Sequence, residues 1–294
     1  MIAVTGATGF IGRHLVAGLK NAGANLVGVV RRPERGNDLM EAGVELRKAD
    51  LRDEDALRRA LTGVDAVVSN ASIAVGRSPQ GSVRDHAELE AQIMVGLARA
   101  ARDAGSPRFI HISSVAVYRD VPLFRPGQES APLRGMQRNL ASLFFSRGYG
   151  EAKATAEKAL WNQSGLSLTV LRPGPVYGSG DHKVLVDWGK WLLGRWAVVP
   201  NAHIPFVHAG DVATAVVGAL ANSDTIGRAY NVTGPPLAIA DAARILRSIR
   251  GIEGPVVGIP VPVRVSWDNA AARRDLGVSF RTIEAGLQES FGVT

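Results

Sequence analysis

The sequence predicts an α/β fold, a doubly wound parallel sheet with a smaller C-terminal portion, and three observations carry that prediction. Short apolar runs alternate with amphipathic stretches from the first residues to about position 173. The runs are β-branched and continuous, as in strands buried on both faces of a parallel sheet. The first turn, Thr5-Gly6-Ala7-Thr8-Gly9-Phe10-Ile11-Gly12, joins the first strand directly to the first helix. Alternation of this kind implies right-handed crossovers and places ligands at the carboxyl ends of the strands.

Each element has its own reason. Ile2 to Val4 is the first strand, and after the glycine turn Ile11, Leu15, Leu19 and Ala22 recur at helical spacing until Gly23. Asn25 to Val30 is a continuous apolar strand that closes on Arg31-Arg32-Pro33, and Glu45 to Lys48 is a third. Asp53 caps a helix through Leu61, and Ala66 to Ser69 is a fourth strand ending at Asn70-Ala71-Ser72. Val83 to Ala104 is a long helix ended by Gly105 and Pro107, followed by the strand Arg108 to Ile112. Arg119 to Gly148, with three prolines and the apolar stretch Leu140 to Phe145, reads as a long functional loop or lid. Tyr149 to Gln163 is helical and Ser167 to Leu171 is a sixth strand. Beyond Pro173 the pattern loosens, with three tryptophans between Asp187 and Trp196, a short strand over Phe206 to His208 and a helix over Asp211 to Ala221. A strand over Ala229 to Val232 and helices over Ile239 to Ile249, Asp268 to Leu276 and Ile283 to Phe291 complete the chain. The expected division is a nucleotide-binding domain over 1–173 and a substrate-binding portion over 174–294, with segments around 204–235 returning to the first domain.

Composition narrows the function. Across 294 residues, 46% hydrophobic and 21% charged is an ordinary globular balance, so a substantial core is expected. The absence of cysteine excludes disulfides, thiolate catalysis and cysteine metal sites. The histidines show no metal-ligand spacing, so no metal is expected. No apolar run approaches the roughly 18 residues of a membrane span, and the first strand at Met1 or Ile2 leaves no room for a targeting peptide, so a cytoplasmic protein that does not enter a membrane is expected. The net charge of +7 comes from scattered arginines without interleaved aromatics, which argues against a nucleic-acid partner and for small anionic ligands or an arginine-rich surface.

The glycine turn fits a dinucleotide. Gly6 can take the positive φ of the turn, Gly9 has no Cβ to hold the backbone off a pyrophosphate, and Gly12 lets the helix lie close on the sheet, while the helix N-terminus offers free N–H groups. Such a turn also occurs in ordinary strand-to-helix connections, so its context decides. Further along, Tyr149-Gly-Glu-Ala-Lys153 sets a phenol and an ammonium one helical turn apart on one face, where the cation favours phenolate and proton transfer to a carbonyl oxygen. Ser113 and Ser114 end the fifth strand, where a hydroxyl reaches the ligand crevice.

Five motifs in order, Thr-Gly-Ala-Thr-Gly-Phe-Ile-Gly at 5–12, Ile-Ser-Ser-Val-Ala-Val-Tyr at 112–118, Tyr-x-x-x-Lys at 149–153, Leu-Arg-Pro-Gly-Pro-Val-Tyr-Gly at 171–178 and Phe-Val-His-Ala-Gly-Asp-Val-Ala at 206–213, make the chain resemble an extended short-chain dehydrogenase/reductase. That group includes the nucleotide-sugar epimerases, dehydratases and 4-ketoreductases. The resemblance implies a Rossmann domain in which Tyr149 is the general acid/base, Ser114 orients the substrate carbonyl and Lys153 holds the nicotinamide ribose. It further implies cofactor contacts from Gly6, Thr8, Gly9, Phe10, Ile11, Gly12, Asp50, Leu51, Ala71, Pro173 and Val176. Arg31 and Arg32 stand where an NAD enzyme usually carries an acid, so NADP(H) is the expected cofactor. His208 and Asp211 are read as structural, and His111 as a packed core residue.

Two departures bear on the substrate. The interval from Ser114 to Tyr149 is longer than is usual in the family, and Ile204 occupies the position, four before His208, where nucleotide-sugar enzymes place a diphosphate-binding arginine. With Leu140 to Phe145 and Trp188, Trp191 and Trp196 as lid and wall, these departures favour an NADPH-dependent ketoreductase acting on a bulky, largely apolar small molecule, as a monomer or homodimer. The alternatives are a nucleotide-sugar epimerase, dehydratase or 4-ketoreductase using Arg172, Arg195 or Arg264 as its clamp, and a non-catalytic dinucleotide sensor.

Overall fold

The computed structural model describes residues 1–72, 82–106, 108–120, 125–135, 147–181 and 196–292. Seven parallel strands form the central sheet: β1 (Ile2–Thr5), β2 (Leu26–Val30), β3 (Glu45–Lys48), β4 (Ala66–Ser69), β5 (Arg108–Ile112), β6 (Ser167–Pro173) and, much later in the chain, β11 (Arg228–Val232). Their order is β11-β6-β5-β4-β1-β2-β3, so the winding reverses between β1 and β4 and opens a crevice at the carboxyl ends of these two strands.

Helices cover both faces. On one side α1 (Phe10–Asn21) lies against α6 (Ala209–Ala221). A Cβ on Gly18 would stand 2.8 Å from that of Ala213, a separation open to glycine alone. Leu15, Leu19, Val212 and Val216 there seal a core with Val4 and Ile110. On the other side α3 (Glu54–Ala60), α4 (Val83–Asp103) and α5 (Arg147–Trp161) bury Leu57, Met94, Leu97 and Leu160 against Val67 and Phe109. Asp53 caps α3 by accepting from Ala56 N, as its position in the sequence implies. Ser82 and Asp85 cap each other's backbone N–H at the start of α4. A five-residue helix, α2 (Asn37–Glu41), sits between β2 and β3.

The C-terminal portion is built from short pieces, β7 (Val176–Tyr177), β8 (Ala197–Pro200), β9 (His203–Ile204), β10 (Val207–His208), β12 (Leu237–Ala238) and β13 (Val256–Ile259), of which only β10 falls on a strand the hydrophobic pattern assigned, Phe206 to His208. They pair as β7 with β10, β8 with β13, and β9 antiparallel to β12. With α7 (Ile239–Ile249), α8 (Ala270–Leu276) and α9 (Ile283–Phe291) they enclose a third core that includes Val199, Ile204, Phe206, Leu246 and Trp267. β11 is the edge strand of the seven-stranded sheet, and α6 packs in the core on one face of it. Of the region from 119 to 148, only 119–120, 125–135 and 147–148 are described. Leu140 to Phe145, Trp188, Trp191 and Arg195 lie outside the described residues.

Candidate active site

The crevice is floored by the glycine turn. Gly6 has φ +66°, and a Cβ there would press on Ala71 at 3.1 Å. A Cβ on Gly12 would fall 2.0 Å from the Gly6 carbonyl oxygen, so only glycine lets α1 begin this close to β1. Gly9 is the residue before α1 and offers no capping side chain, which leaves the helix's first N–H groups directed outward. Thr8, Phe10 and Ile11 beside it are half-buried. Thr5 ties the turn to the far wall, because its hydroxyl oxygen accepts from Asn70 N at 3.0 Å and Ala71 N at 3.1 Å. This cradle of unpaired backbone N–H donors at the positive end of a helix suits the pyrophosphate of a dinucleotide.

Around it stand the other expected contacts. Asp50 is half-buried and held by a two-pronged contact with Arg52 at 3.0 Å. The Arg52 hydrogen bond lowers its carboxyl to about 2, with a smaller contribution from Arg31. Leu51 packs against the second core. Arg31 and Arg32 follow β2, are exposed, and make no ion pair among the described residues. Pro173 is buried at the end of β6 and Val176 half-buried on β7.

Ser114 begins a single helical turn over Val115–Val117, and its Oγ accepts from Ala116 N at 3.2 Å. Lys153 is nearly sealed from solvent, and its Nζ donates to the Ile112 carbonyl at 3.3 Å, two residues before Ser114. Tyr149, one turn earlier on α5, is half-buried. Lys153 therefore lies at the end of β5, two residues from Ser114, with Tyr149 one helical turn before it.

Two acids were missed in the sequence reading. Glu90 on α4 is buried, 3.8 Å from Lys153 Nζ, and accepts from Ser72 Oγ at 2.5 Å. Glu157, one turn beyond Lys153, is buried against Arg172 at 2.5 Å and accepts from Ser113 Oγ at 2.6 Å and Trp161 Nε1 at 3.3 Å. Arg172 in turn donates to the Tyr118 hydroxyl at 2.8 Å, and that hydroxyl donates to Asn231 Oδ1 at 2.6 Å. Burial pushes the Tyr118 phenol up to about 12, against the pull of Arg172. The signal for both acids lay in helical spacing: Glu90 falls in line with Ala87, Ala91, Met94 and Leu97, and Glu157 with Lys153 and Leu160.

The network engages Ser113 Oγ with Glu157. It also removes Arg172 from the candidate diphosphate clamps, leaving Arg264 exposed among the described residues. Ile204 is buried in the third core and pairs with Leu237. His208 caps α6 from its Nδ1 and meets Ser290 through Nε2, and Asp211 accepts from Arg281 N at 2.9 Å, so both tie α9's segment to α6. His111 is a core residue whose Nδ1 faces Ser69 Oγ at 3.3 Å. No group of three metal-ligating side chains occurs among the described residues, and no helix among them is long and apolar enough to cross a membrane.

Fold and sequence together define the class: the chain belongs to the NAD dependent epimerase/dehydratase family, whose sequence profile matches residues 2–233. Among individual proteins, it is 26% identical over 268 residues, 87% of this chain and 75% of the other, to the 4-hydroxy-2-methyl-3-oxo-4-farnesyl-3,4-dihydroquinoline-1-oxide ketoreductase of Stigmatella aurantiaca. It is 32% identical over 194 residues, 61% of this chain and 57% of the other, to a dTDP-4-dehydro-6-deoxy-D-allose reductase of a Streptomyces species. The fold matches that of UDP-N-acetylglucosamine 4-epimerase from Bacillus cereus with a TM-score of 0.79 at 23% identity, covering 98% of this chain and 96% of that one.

Proposed function

We propose that the protein is an NADPH-dependent ketoreductase whose substrate is a bulky, largely apolar ketone, with residues 1–173 binding the cofactor and 174–294 shaping the substrate side. The observation that supports this reading is Lys153 Nζ donating to the Ile112 carbonyl at 3.3 Å at the carboxyl end of β5, two residues before Ser114, with Tyr149 one helical turn before Lys153 on α5. When bound, NADPH supplies a hydride to the carbonyl carbon. Tyr149 gives its phenolic proton to the carbonyl oxygen, Ser114 donates a hydrogen bond that orients that oxygen, and Lys153 holds the nicotinamide ribose and favours the phenolate left behind. Gly6, Thr8, Gly9, Phe10, Ile11 and Gly12 hold the pyrophosphate, Asp50, Leu51 and Ala71 flank the adenosine side, and Pro173 and Val176 border the nicotinamide. The exposed Arg31 and Arg32 favour a 2′-phosphate.

The ketone side of the proposal is supported by the quinoline ketoreductase of Stigmatella aurantiaca and by the loss of a clamp: Arg172 is engaged with Glu157 and Ile204 is apolar. A nucleotide-sugar reductase or epimerase is the second reading, favoured by the dTDP-sugar reductase match. Calorimetric titration with NADP⁺ present, comparing uridine and thymidine diphosphates with aromatic polyketide ketones, separates them. The ketones are expected to bind and the bare diphosphates not, whereas tight diphosphate binding in the substrate cleft establishes the sugar reading instead.

A further inference from the structure

Lys153 carries its charge almost out of water, and one backbone carbonyl at 3.3 Å is a thin substitute for a hydration shell. Its remaining partner among the described residues is the Glu90 carboxylate, 3.8 Å away and itself buried on the inner face of α4. Glu90 is anchored in turn by the Ser72 hydroxyl at the crevice end of β4. A chain of three side chains thus runs from β4 across α4 to the lysine on α5. Glu90 stands in a stripe of alanine, methionine and leucine on α4.

We propose that Glu90 is a positioning residue that keeps the Lys153 ammonium charged and fixed beside Ser114, so that cofactor binding through Lys153 persists into the alkaline range. This rests on the reading of Lys153 as the residue that holds the nicotinamide ribose. Burying an amine without a counter-charge favours its neutral form, and a carboxylate beside it reverses that preference. Of the titratable groups on the elements around this pair, Tyr149 and Glu157 lie one turn to either side of Lys153 on α5, His111 lies on β5 and Arg172 on β6. Burial, then the Lys153 charge, holds His111 well below its ordinary value. Glu157 and Arg172 satisfy each other.

The test is the dissociation constant for NADPH, read by fluorescence between pH 6 and 9, for the full chain, Glu90→Gln, Glu90→Asp, Lys153→Met and the Glu90→Gln/Lys153→Met pair. The unaltered protein should vary less than about threefold over that range, while Glu90→Gln should match it at pH 6 and bind about tenfold more weakly at pH 9, the consequence of losing one favourable charge. Glu90→Asp should fall between them, and it carries the test alone where Glu90→Gln does not fold. On the Lys153→Met background Glu90→Gln should add no pH dependence. A flat profile for both folded Glu90 variants, or a slope that survives without Lys153, overturns the proposal. An unaltered protein that binds neither NADPH nor NADH overturns the functional reading itself, and this inference with it.

Discussion

Replacing Arg172 by methionine removes the cation from an ion pair whose two side chains are 4% and 0% exposed, and the consequences follow from what the guanidinium touches. It gives Glu157 three contacts between 2.5 and 3.2 Å, and it also donates to the Tyr118 hydroxyl and the Glu129 carbonyl, both at 2.8 Å. Desolvation opposes its charge, but Glu157 and Tyr118 more than compensate and raise its pKa. Deleting one member of such a pair strands the other, and the cost of a buried uncompensated charge is about 3–5 kcal/mol. For a chain of this size that lowers the melting temperature by roughly 5–10 °C. Because the same carboxylate also accepts from Ser113, the residue next to Ser114, and sits on the helix that carries Lys153, the damage should reach the site. Urea unfolding followed by circular dichroism measures the loss. The double variant Arg172→Met/Glu157→Leu should recover part of it, since no charge is then stranded, though Ser113 and Trp161 remain short of a partner. A single-variant loss below about 1 kcal/mol, or a double variant worse than the sum of the two singles, refutes the reasoning.

Three further outcomes are expected. Tyr149→Phe should lower ketone turnover by about 10²–10⁴-fold while leaving NADPH affinity within about twofold, measured by steady-state kinetics and fluorescence titration. Arg31→Ser/Arg32→Ser should weaken NADPH by about tenfold or more and leave NADH nearly unchanged, and equal effects on the two would remove the 2′-phosphate assignment. Burial holds His208 down at about 4, below its ordinary value near 6.5, so the folded chain binds fewer protons than the unfolded one between those limits and stability should fall as pH drops from about 6.5 towards 4. His208→Gln should flatten that part of the unfolding-versus-pH curve, where the histidine contributes on the order of 2 kcal/mol.

The inner strands of the central sheet were legible because they are apolar on both faces, as in Leu26–Val30 and Ala66–Ser69, whereas the edge strand Glu45–Lys48 is polar and partly exposed. The helix starts were legible through Gly9 and Asp53, whose roles depend only on local backbone geometry. The C-terminal strands were not, since two-residue pieces such as His203–Ile204 have no periodicity to display and exist only because a partner strand is brought to them by the fold. The buried acids failed for a related reason. Glu90 and Glu157 are conspicuous on their helical faces, but what makes each of them tolerable is a cation from another element, Lys153 and Arg172, and that pairing is a tertiary fact.

Ile204 shows how the same limit touches substrate choice. As a sequence position it reads as an anion clamp that has lost its guanidinium. In the fold its side chain is 4% exposed among Val199, Phe206, Ile239 and Leu246, opposite Leu237, so it contributes a core contact and no surface to a ligand. An arginine at 204 would have to strand its charge in that core or displace β12 to reach the crevice. The apolar neighbourhood therefore accounts for isoleucine on packing grounds alone. What the substitution says about the substrate is negative: a diphosphate finds no cation on this strand, and the fully engaged Arg172 offers none from β6. Exposed Arg264, bridged to His203 at the adjoining edge, is the described arginine from which a nucleotide-sugar site would have to be rebuilt.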